Sequence, residues 1–258
     1  MTWAKVKFFW DNVFGISGGA LAATSTASGY AVANIHNGLE VNSWKAANTT
    51  TPMYITIDTY SSATESDTLV ILGHNLNTIG ATLGVHYSTD NFAASIIDAF
   101  TPFAPTSDAV ILKEFTSPGG KRYWRLYLTG TLSAAPEIQI AMLCNKTELD
   151  YCTASFDPYE QEAKANINIS QGGYVTGIHE IYTERSLSLT FEDADSTLYG
   201  KVKTWWETHG MNQLFVAWET ANNPTDVYLM RPDGKFNNPL TNGGAYRDIT
   251  INLKGRKE

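Results

Sequence analysis

Short segments in which apolar and polar residues alternate recur along this chain, and they constrain its fold more than any other feature. In Tyr123–Thr129 the apolar side chains of Trp124, Leu126 and Leu128 occupy every second position. Alternation with a period of two is typical of β-strands that bury one face. Segments of similar character, separated by clusters of Gly, Pro, Ser and Asn, are Met53–Asp58, Thr68–Leu72, Ala81–Tyr87, Ala109–Phe115 and Glu137–Met142. Strands of this length and spacing predict a mostly β fold that contains a β-sandwich.

The chain is predicted to divide into two domains, because 258 residues exceed the usual size of a single one. Residues 1–160 are expected to form a jelly-roll β-sandwich, in which Gly15–Gly29, rich in small residues, is an extended loop or arm. Residues 161–172 are polar and end at a Gly pair, which predicts a linker. Residues 173–258 are expected to form a small α+β domain, with one helix on a sheet.

The helix of the second domain is predicted from its periodicity and from its ends. Val202 and Trp205 are apolar residues at helical spacing. The side chain of Asp193 or Asp195 can accept hydrogen bonds from the free N–H groups of a first turn. Gly210 can adopt the left-handed conformation that ends a helix. These signals place a single helix between the acidic turn and Gly210.

The charge and hydropathy of the chain argue against two classes of function. Its net charge is −8 and its Lys and Arg residues form no cluster, whereas sequence-independent nucleic-acid binding relies on such residues to neutralise phosphates. No stretch approaches the roughly 18 apolar residues of a membrane-spanning helix, and the N-terminus lacks the apolar region of a signal peptide. The chain is therefore expected to fold in the cytosol and to bind neither nucleic acid nor the interior of a membrane.

The two cysteines are too few for a disulfide framework. Cys144 and Cys152 are predicted to be free thiols in a reducing cytoplasm. A bridge between them is the alternative, since the loop that it would close is short but sterically possible.

No motif in the sequence points to a catalytic centre, a metal site or a cofactor. His179 and Glu180 begin like a zinc-peptidase helix, but position 183 is Thr where the second His is required. The acidic run at 192–195 lacks the Gly and the terminal Glu of a calcium-binding loop, so it is interpreted as a solvated turn before the helix. We therefore expect a protein that is not an enzyme. A pair of converging carboxylates for glycoside hydrolysis stays open, because sequence alone singles out none.

Aromatic residues provide the one candidate set for ligand contact. Flat aromatic faces can stack on sugars, and the chain has seven Trp and thirteen Tyr residues. Core packing accounts for Trp124 and Trp205 but leaves Trp44, Tyr60 and Tyr87 unassigned, and these three are the candidates for contact with a glycan. The alternative is that they are ordinary amphipathic aromatics of the surface.

The stretch Leu69–Leu76 ends in Gly-His-Asn-Leu, which occupies positions 73 to 76. It resembles the "GHNL" strand and turn of bacteriophage virion proteins that contain a discoidin or galactose-binding-like jelly roll. The second half of the chain is similar to the same group in its order of a Gly-rich entry, a strand, a helix and a terminal strand. Three further stretches that resemble this group are FFWDNVF near the start, Asn34–Asn37 ahead of Ser43–Lys45, and Tyr123–Leu126.

This resemblance implies a structural protein of a phage tail, near the tip, the baseplate or the fibre attachment. Its partners would be other virion proteins and further copies of itself, and it would be made in the host cytoplasm and located in the virion. Gly73, His74, Asn75 and Leu76 are then expected to have a structural role, with His74 and Asn75 bonded to the turn backbone and Leu76 in the core. The alternative function is a carbohydrate-binding module that attaches the particle to a glycan of the host surface.

Overall fold

The computed structural model describes residues 3–61 and 63–256. These residues form a mostly β fold with one α-helix, α1 (Ser196–His209), and short 3-10 helices at Val13–Gly15, Val32–His36 and Asn242–Gly244. The strands are β1 (Lys7–Phe9), β2 (Ala20–Ala23), β3 (Trp44–Lys45), β4 (Met53–Asp58), β5 (Thr68–His74), β6 (Thr82–Ser88), β7 (Ile97–Asp98), β8 (Ile111–Glu114), β9 (Tyr123–Thr129), β10 (Glu137–Cys144), β11 (Thr147–Glu148), β12 (Gln161–Ile169), β13 (Val175–Ala194), β14 (Leu214–Ala217), β15 (Val227–Pro232), β16 (Leu240–Thr241) and β17 (Tyr246–Arg256). The mostly β class that the sequence predicts is confirmed.

The chain divides into two units, but not at the predicted boundary. Unit 1 comprises Met1–Phe8 and Thr147–Glu258, and unit 2 comprises Phe9–Lys146. The division expected near residue 160 lies close to 146 instead, and the first strand belongs with the C-terminal part of the chain. The physical reason is strand pairing: Lys7 and Phe8 of β1 pair with Glu148 and Thr147 of β11. Unit 2 is therefore an insertion between two segments of unit 1.

Unit 2 is a β-sandwich built from two antiparallel sheets. One sheet has the order β3-β10-β5-β8 and the other the order β2-β4-β9-β6-β7. Inward side chains of both sheets, such as Leu69 and Ile138 from the first and Ile57 and Trp124 from the second, belong to one buried cluster. Both sheets thus bury one face against the other, as the alternation of β4 and β9 predicts.

The predicted arm at Gly15–Gly29 contains a strand. Ala20–Ala23 pairs with β4, and Leu21 lies opposite Ile57 and packs against the core. Its small side chains give little hydrophobic signal in the sequence. The backbone ladder with β4 is what orders this segment at the edge of the sheet.

Unit 1 is a single sheet with the order β11-β1-β14-β15-β17-β13-β12, on which β16 pairs with β17. Its helix has the predicted cap: the Asp195 side chain accepts a hydrogen bond from the backbone N–H of Leu198 at 2.8 Å. Gly210, with a φ of 58°, follows the last helical residue as expected. The Trp205 indole is buried and contacts Phe8 of β1 edge-on, at 5.0 Å between ring centroids.

The segment 161–172 is not a linker. Residues Gln161–Ile169 form β12, which pairs antiparallel with β13 through a tight turn around Gly173. The segment resembles a linker in sequence because β12 is exposed on both faces. Its polar and apolar residues therefore do not alternate as they do in a strand with one buried face. The resulting hairpin continues the sheet of unit 1.

Both cysteines are free thiols, as predicted. Cys144 is buried, and burial raises the pKa of its thiol well above the usual range. Burial also raises the pKa of Cys152, to about 11. Both groups therefore stay protonated near neutral pH. Within the described residues, no helix is both long enough and apolar enough to cross a membrane.

Candidate functional site

The Gly-His-Asn-Leu sequence lies at the end of β5, where its polar side chains bond to backbone groups. His74 Nδ1 accepts a hydrogen bond from the backbone N–H of Leu76 at 3.2 Å, and its Nε2 lies 2.9 Å from the carbonyl oxygen of Ala109. Since Nδ1 accepts, Nε2 carries the proton and donates it to Ala109. Burial lowers the pKa of His74, which keeps the ring neutral. Leu76 is fully buried in the sandwich core.

The neighbouring residues complete the same turn. Asn75 donates from Nδ2 to the carbonyl oxygen of Ala135 at 3.0 Å and accepts from the backbone N–H of Glu137 at 2.9 Å. Gly73 has a φ of 62°, and a Cβ atom there would approach the Gln139 side chain to 2.3 Å. These contacts tie the turn to β10 and are those of a structural element.

Trp44, Tyr60 and Tyr87 are not brought together on one exposed surface. Trp44 is 1% exposed, and its indole N–H donates to the carbonyl oxygen of Ser25 at 3.2 Å inside unit 2. Tyr87 points inward from β6 and packs against the core beside Trp124. Tyr60 is 62% exposed, and the Arg122 guanidinium lies 5.2 Å from its ring centroid. Of the three, Tyr60 alone presents an open side chain to solvent.

A different group of side chains converges on the outer surface of the five-stranded sheet. Register places Arg125 opposite Thr56 on β4 and opposite His86 on β6, while His86 lies opposite Asp98 on β7. Directly opposite residues on neighbouring strands project from the same face. We call this surface the arginine face and define it by Arg125, Tyr54, Phe92, His86, Asp98 and Tyr127.

The groups of the arginine face form one continuous network. The Arg125 guanidinium lies between two rings, 4.1 Å from the centroid of Tyr54 and 4.0 Å from that of Phe92. Its Nε–H donates to His86 Nδ1 at 2.9 Å. The other ring nitrogen, Nε2, lies 3.1 Å from Asp98 Oδ1, which also accepts the Tyr127 hydroxyl at 2.7 Å. Arginine, imidazole, carboxylate and phenol are thus fixed relative to one another.

The same contacts set the protonation of the network. Burial, and then the positive charge of Arg125, lower the pKa of His86. The ring is therefore neutral, with its proton on Nε2 and donated to Asp98. Burial and the bond to Asp98 raise the pKa of the Tyr127 hydroxyl, so it stays protonated as a donor.

Alternation in Tyr123–Thr129 predicts that Tyr123, Arg125 and Tyr127 point away from the side of Trp124, but it does not identify them as a site. An outward side chain at the centre of a sandwich sheet is usually solvated, whereas Arg125 is only 9% exposed. Tyr54 on β4 and Phe92 in the loop after β6 shield the Arg125 side chain from water. The signal in the sequence is that Arg125 alternates with Tyr123 and Tyr127, because a cation among aromatic residues favours stacking.

The second candidate surface is the hairpin of unit 1. The distal hairpin, residues 165–182, precedes Glu184, which is the first residue of β13 that pairs with β17. It therefore extends past the end of that pairing. Ile167 and Ile178 lie directly opposite each other and are 57% and 69% exposed. Ile169 and Val175 form the next pair and are also exposed. Four branched apolar side chains therefore share one face that no described residue of unit 1 covers.

The described residues contain no group of three or more His, Cys, Asp or Glu side chains placed to hold a metal ion. His179, the one histidine that the sequence suggested for zinc, lies on the distal hairpin opposite Asn166.

No family model matches the chain, and no curated protein matches it. Solved structures similar to about half of it include carbohydrate-binding modules and GH29 enzymes. The CBM32 module of AlyQ, in complex with 4,5-unsaturated mannuronic acid, is 20% identical, with a TM-score of 0.40 over 52% of this chain and 96% of that one. The Clostridium perfringens module CpGH89CBM32-5, in complex with GalNAc-beta-1,3-galactose, is 16% identical, with a TM-score of 0.41 over 49% and 94%.

A pectin-binding module is 15% identical, with a TM-score of 0.39 over 48% of this chain and 88% of that one. Likeness at this level carries no function from one protein to another. The sandwich is established by the strand order and common core of unit 2, and the phage origin stays a prediction from the motif resemblance.

Proposed function

We propose that the protein is a non-catalytic structural subunit that assembles with a second copy of itself through the distal hairpin. The observation that supports this function is the exposed apolar face of Ile167, Ile169, Val175 and Ile178. Contiguous apolar surface on a folded domain usually marks an interaction site, because its exposure to water is unfavourable.

The edges of the hairpin support the same function. β12 is the last strand in the sheet order, and in the described part of the chain it pairs with β13 alone. An unpaired edge presents free N–H and C=O groups to another strand. A second copy supplies an identical apolar face and an identical edge, which an isologous contact can bury together. The four apolar residues carry no charge, so contact between two copies of them removes no charged group from water.

Self-association is expected to depend on one face of the hairpin. The double variant Ile167→Asp/Ile178→Asp places two carboxylates in the proposed contact and should convert oligomer to monomer, with a loss of affinity of about a hundredfold or more. Sedimentation velocity of the full chain over a range of concentrations measures this change.

The matched control is Asn166→Asp/His179→Asp, a directly opposite pair on the other face of the same strands. It should leave the oligomer intact. A wild-type chain that is monomeric at every concentration, or two double variants that dissociate alike, would contradict the proposal. Circular dichroism checks that both variants stay folded.

The assembly proposed here is a bacteriophage particle, and the tail is the location that the motif resemblance suggests. Support for this placement comes from the Gly-His-Asn-Leu turn and the other similar stretches of sequence. Immunogold labelling of particles in a lysate tests it, since label on the tail end supports the placement and unlabelled particles overturn it.

The second candidate function is carbohydrate binding by unit 2, and the arginine face favours it. Sugars are bound by aromatic rings combined with a few fixed hydrogen-bonding groups. The arginine face combines the rings of Tyr54 and Phe92 with the guanidinium of Arg125 and the carboxylate of Asp98.

On this second function, the full chain should bind at least one oligosaccharide on a glycan array. Tyr54→Ala should weaken that binding about tenfold, which corresponds to roughly 1.4 kcal/mol. Tyr30→Ala, an exposed tyrosine outside the arginine face, is the control and should not change it. An array with no bound glycan, or binding that survives Tyr54→Ala unchanged, excludes the arginine face as a carbohydrate site.

A further inference from the structure

Arg125 is an arginine whose charge is largely removed from water without a carboxylate partner. It is 9% exposed, and no Asp or Glu forms an ion pair with it among the described residues. The nearest acid of the network, Asp98, is engaged by His86 and Tyr127. A buried charge without a counter-charge is costly, so a ligand that supplies the opposite charge would offset that cost.

The terminal amino groups of Arg125 are the part of the side chain that is left for a ligand. Nε–H donates to His86, and the rings of Tyr54 and Phe92 lie against the guanidinium with their centroids 4.1 and 4.0 Å from its carbon. No described residue accepts a hydrogen bond from the two Nη atoms. Their N–H groups lie in the guanidinium plane and form a fork, which matches the two oxygens of a carboxylate.

We propose that the two Nη groups of Arg125 bind the carboxylate of an acidic saccharide on the arginine face. The inference rests on the carbohydrate-binding function and names its ligand class. Contact with the two rings fixes the orientation of the Nη groups before a ligand binds. This reduces the conformational entropy that Arg125 loses on binding. His86 is a positioning residue, because it holds Nε and is itself oriented by Asp98.

The groups around Arg125 distinguish a sugar acid from other anions. Asp98 has a half-exposed carboxylate, which can accept hydrogen bonds from ligand hydroxyls but would repel a second acid group. Thr56 lies opposite Arg125 on the same face and offers a hydroxyl as donor or acceptor. A ligand that bonds to Arg125, Asp98 and Thr56 together carries one carboxylate and several hydroxyls on one ring. An acidic peptide has the carboxylates but lacks the hydroxyls.

The test is isothermal titration calorimetry of the full chain with an oligogalacturonate and with the matching neutral galactose oligosaccharide. We expect the acidic ligand to bind at least tenfold more tightly, with an affinity that falls as salt is added. Arg125→Lys keeps the charge but loses the planar fork, and it should weaken the acidic ligand about tenfold while leaving the neutral one unchanged.

Arg122→Lys is the matched control, because Arg122 immediately precedes β9 but is already paired with Asp58 at 2.8 and 2.9 Å. It should change neither affinity. Equal binding of the acidic and neutral ligands overturns the inference and leaves carbohydrate binding intact. Binding of neither saccharide also overturns the inference, and the glycan array then tests the carbohydrate function separately. Binding of an acidic peptide in their place overturns the inference as well. The comparison of two ligands on the wild-type chain holds even if Arg125→Lys misfolds.

Discussion

Replacing Glu219 with alanine is expected to destabilise unit 1 by about 3 kcal/mol or more. Glu219 is 1% exposed, and its carboxylate accepts hydrogen bonds from the backbone N–H groups of Ala4, Ala221 and Asn222, each at 2.8 Å. The side chain of Asn223 donates a fourth bond at 3.2 Å. Alanine removes the acceptor from all four donors at once, and it also frees the start of the chain from the loop that follows β14.

The stabilisation by Glu219 should depend on pH. Burial alone would raise its pKa, but the backbone N–H groups of Ala4, Asn222 and Ala221 outweigh burial and lower the pKa to about 2. A carboxyl whose folded pKa lies below its unfolded value stabilises the fold above the unfolded value and loses that effect as pH falls through the folded one. The contribution, about 3 kcal/mol near neutral pH, should therefore disappear between about pH 4.5 and pH 2.

Denaturant unfolding of the wild type and of Glu219→Gln from pH 7 to pH 2 measures this contribution, with hydrogen exchange to locate the change in unit 1. The gap between the two chains should be widest at pH 7 and close near pH 2. Glu207→Gln, at an exposed helix position, is the control and should shift stability by less than about 0.5 kcal/mol. A gap that stays constant with pH would show that the Glu219 charge is not the stabilising group.

Elements with one buried face could be predicted from the sequence with accurate bounds. β4 and β9 begin and end at the residues that alternation indicates, Met53–Asp58 and Tyr123–Thr129. Their inward residues are long apolar side chains, and the outward ones are polar or aromatic, so the period of two is easily recognised. The helix could be predicted equally well, because the Asp195 cap and Gly210 are local signals that need no tertiary contact.

The distal hairpin could not be predicted in the same way. β12 has no buried face, and the sequence QEAKANINI therefore has the composition of a linker. β12 is a strand because it pairs with β13. Pairing depends on two segments, so the sequence of one segment alone does not reveal it. The domain boundary was missed for a related reason, since β1 is placed by its partners β11 and β14, which lie more than a hundred residues later.

The arginine face could be predicted only in part from the sequence. Alternation correctly put Arg125 on the outer side of β9, but its partners come from β4, β6, β7 and a loop. Strand order and register decide which side chains meet, and a sequence without an alignment does not contain them. Aromatic character alone was a poor guide, because it selected Trp44 and Tyr87, whose rings lie in or against the core.

The largest effect on unit 2 is expected from Trp124→Ala, which should cost about 3 to 5 kcal/mol of unfolding free energy. Trp124 is fully buried in the cluster that joins the two sheets, and its indole N–H donates to the carbonyl oxygen of Lys121 at 3.2 Å. Alanine leaves a cavity and an unpaired carbonyl group. Denaturant unfolding measures the loss, and Tyr60→Ala, at an exposed position, should change stability by less than about 0.5 kcal/mol.

Trp124 and Arg125 are consecutive residues of β9 that project from opposite faces of the sheet, so their substitutions separate packing from ligand binding. Trp124→Ala removes no group of the arginine face, and at a temperature where the variant is folded its saccharide affinity should stay within a few-fold of wild type. Arg125→Lys should have the reverse effect, with affinity lost and the core retained. If Trp124→Ala unfolds unit 2, Trp124→Phe gives the same comparison with a smaller cavity. Variants that lose stability and affinity in parallel would show that the arginine face depends on the core and is not an independently fixed site.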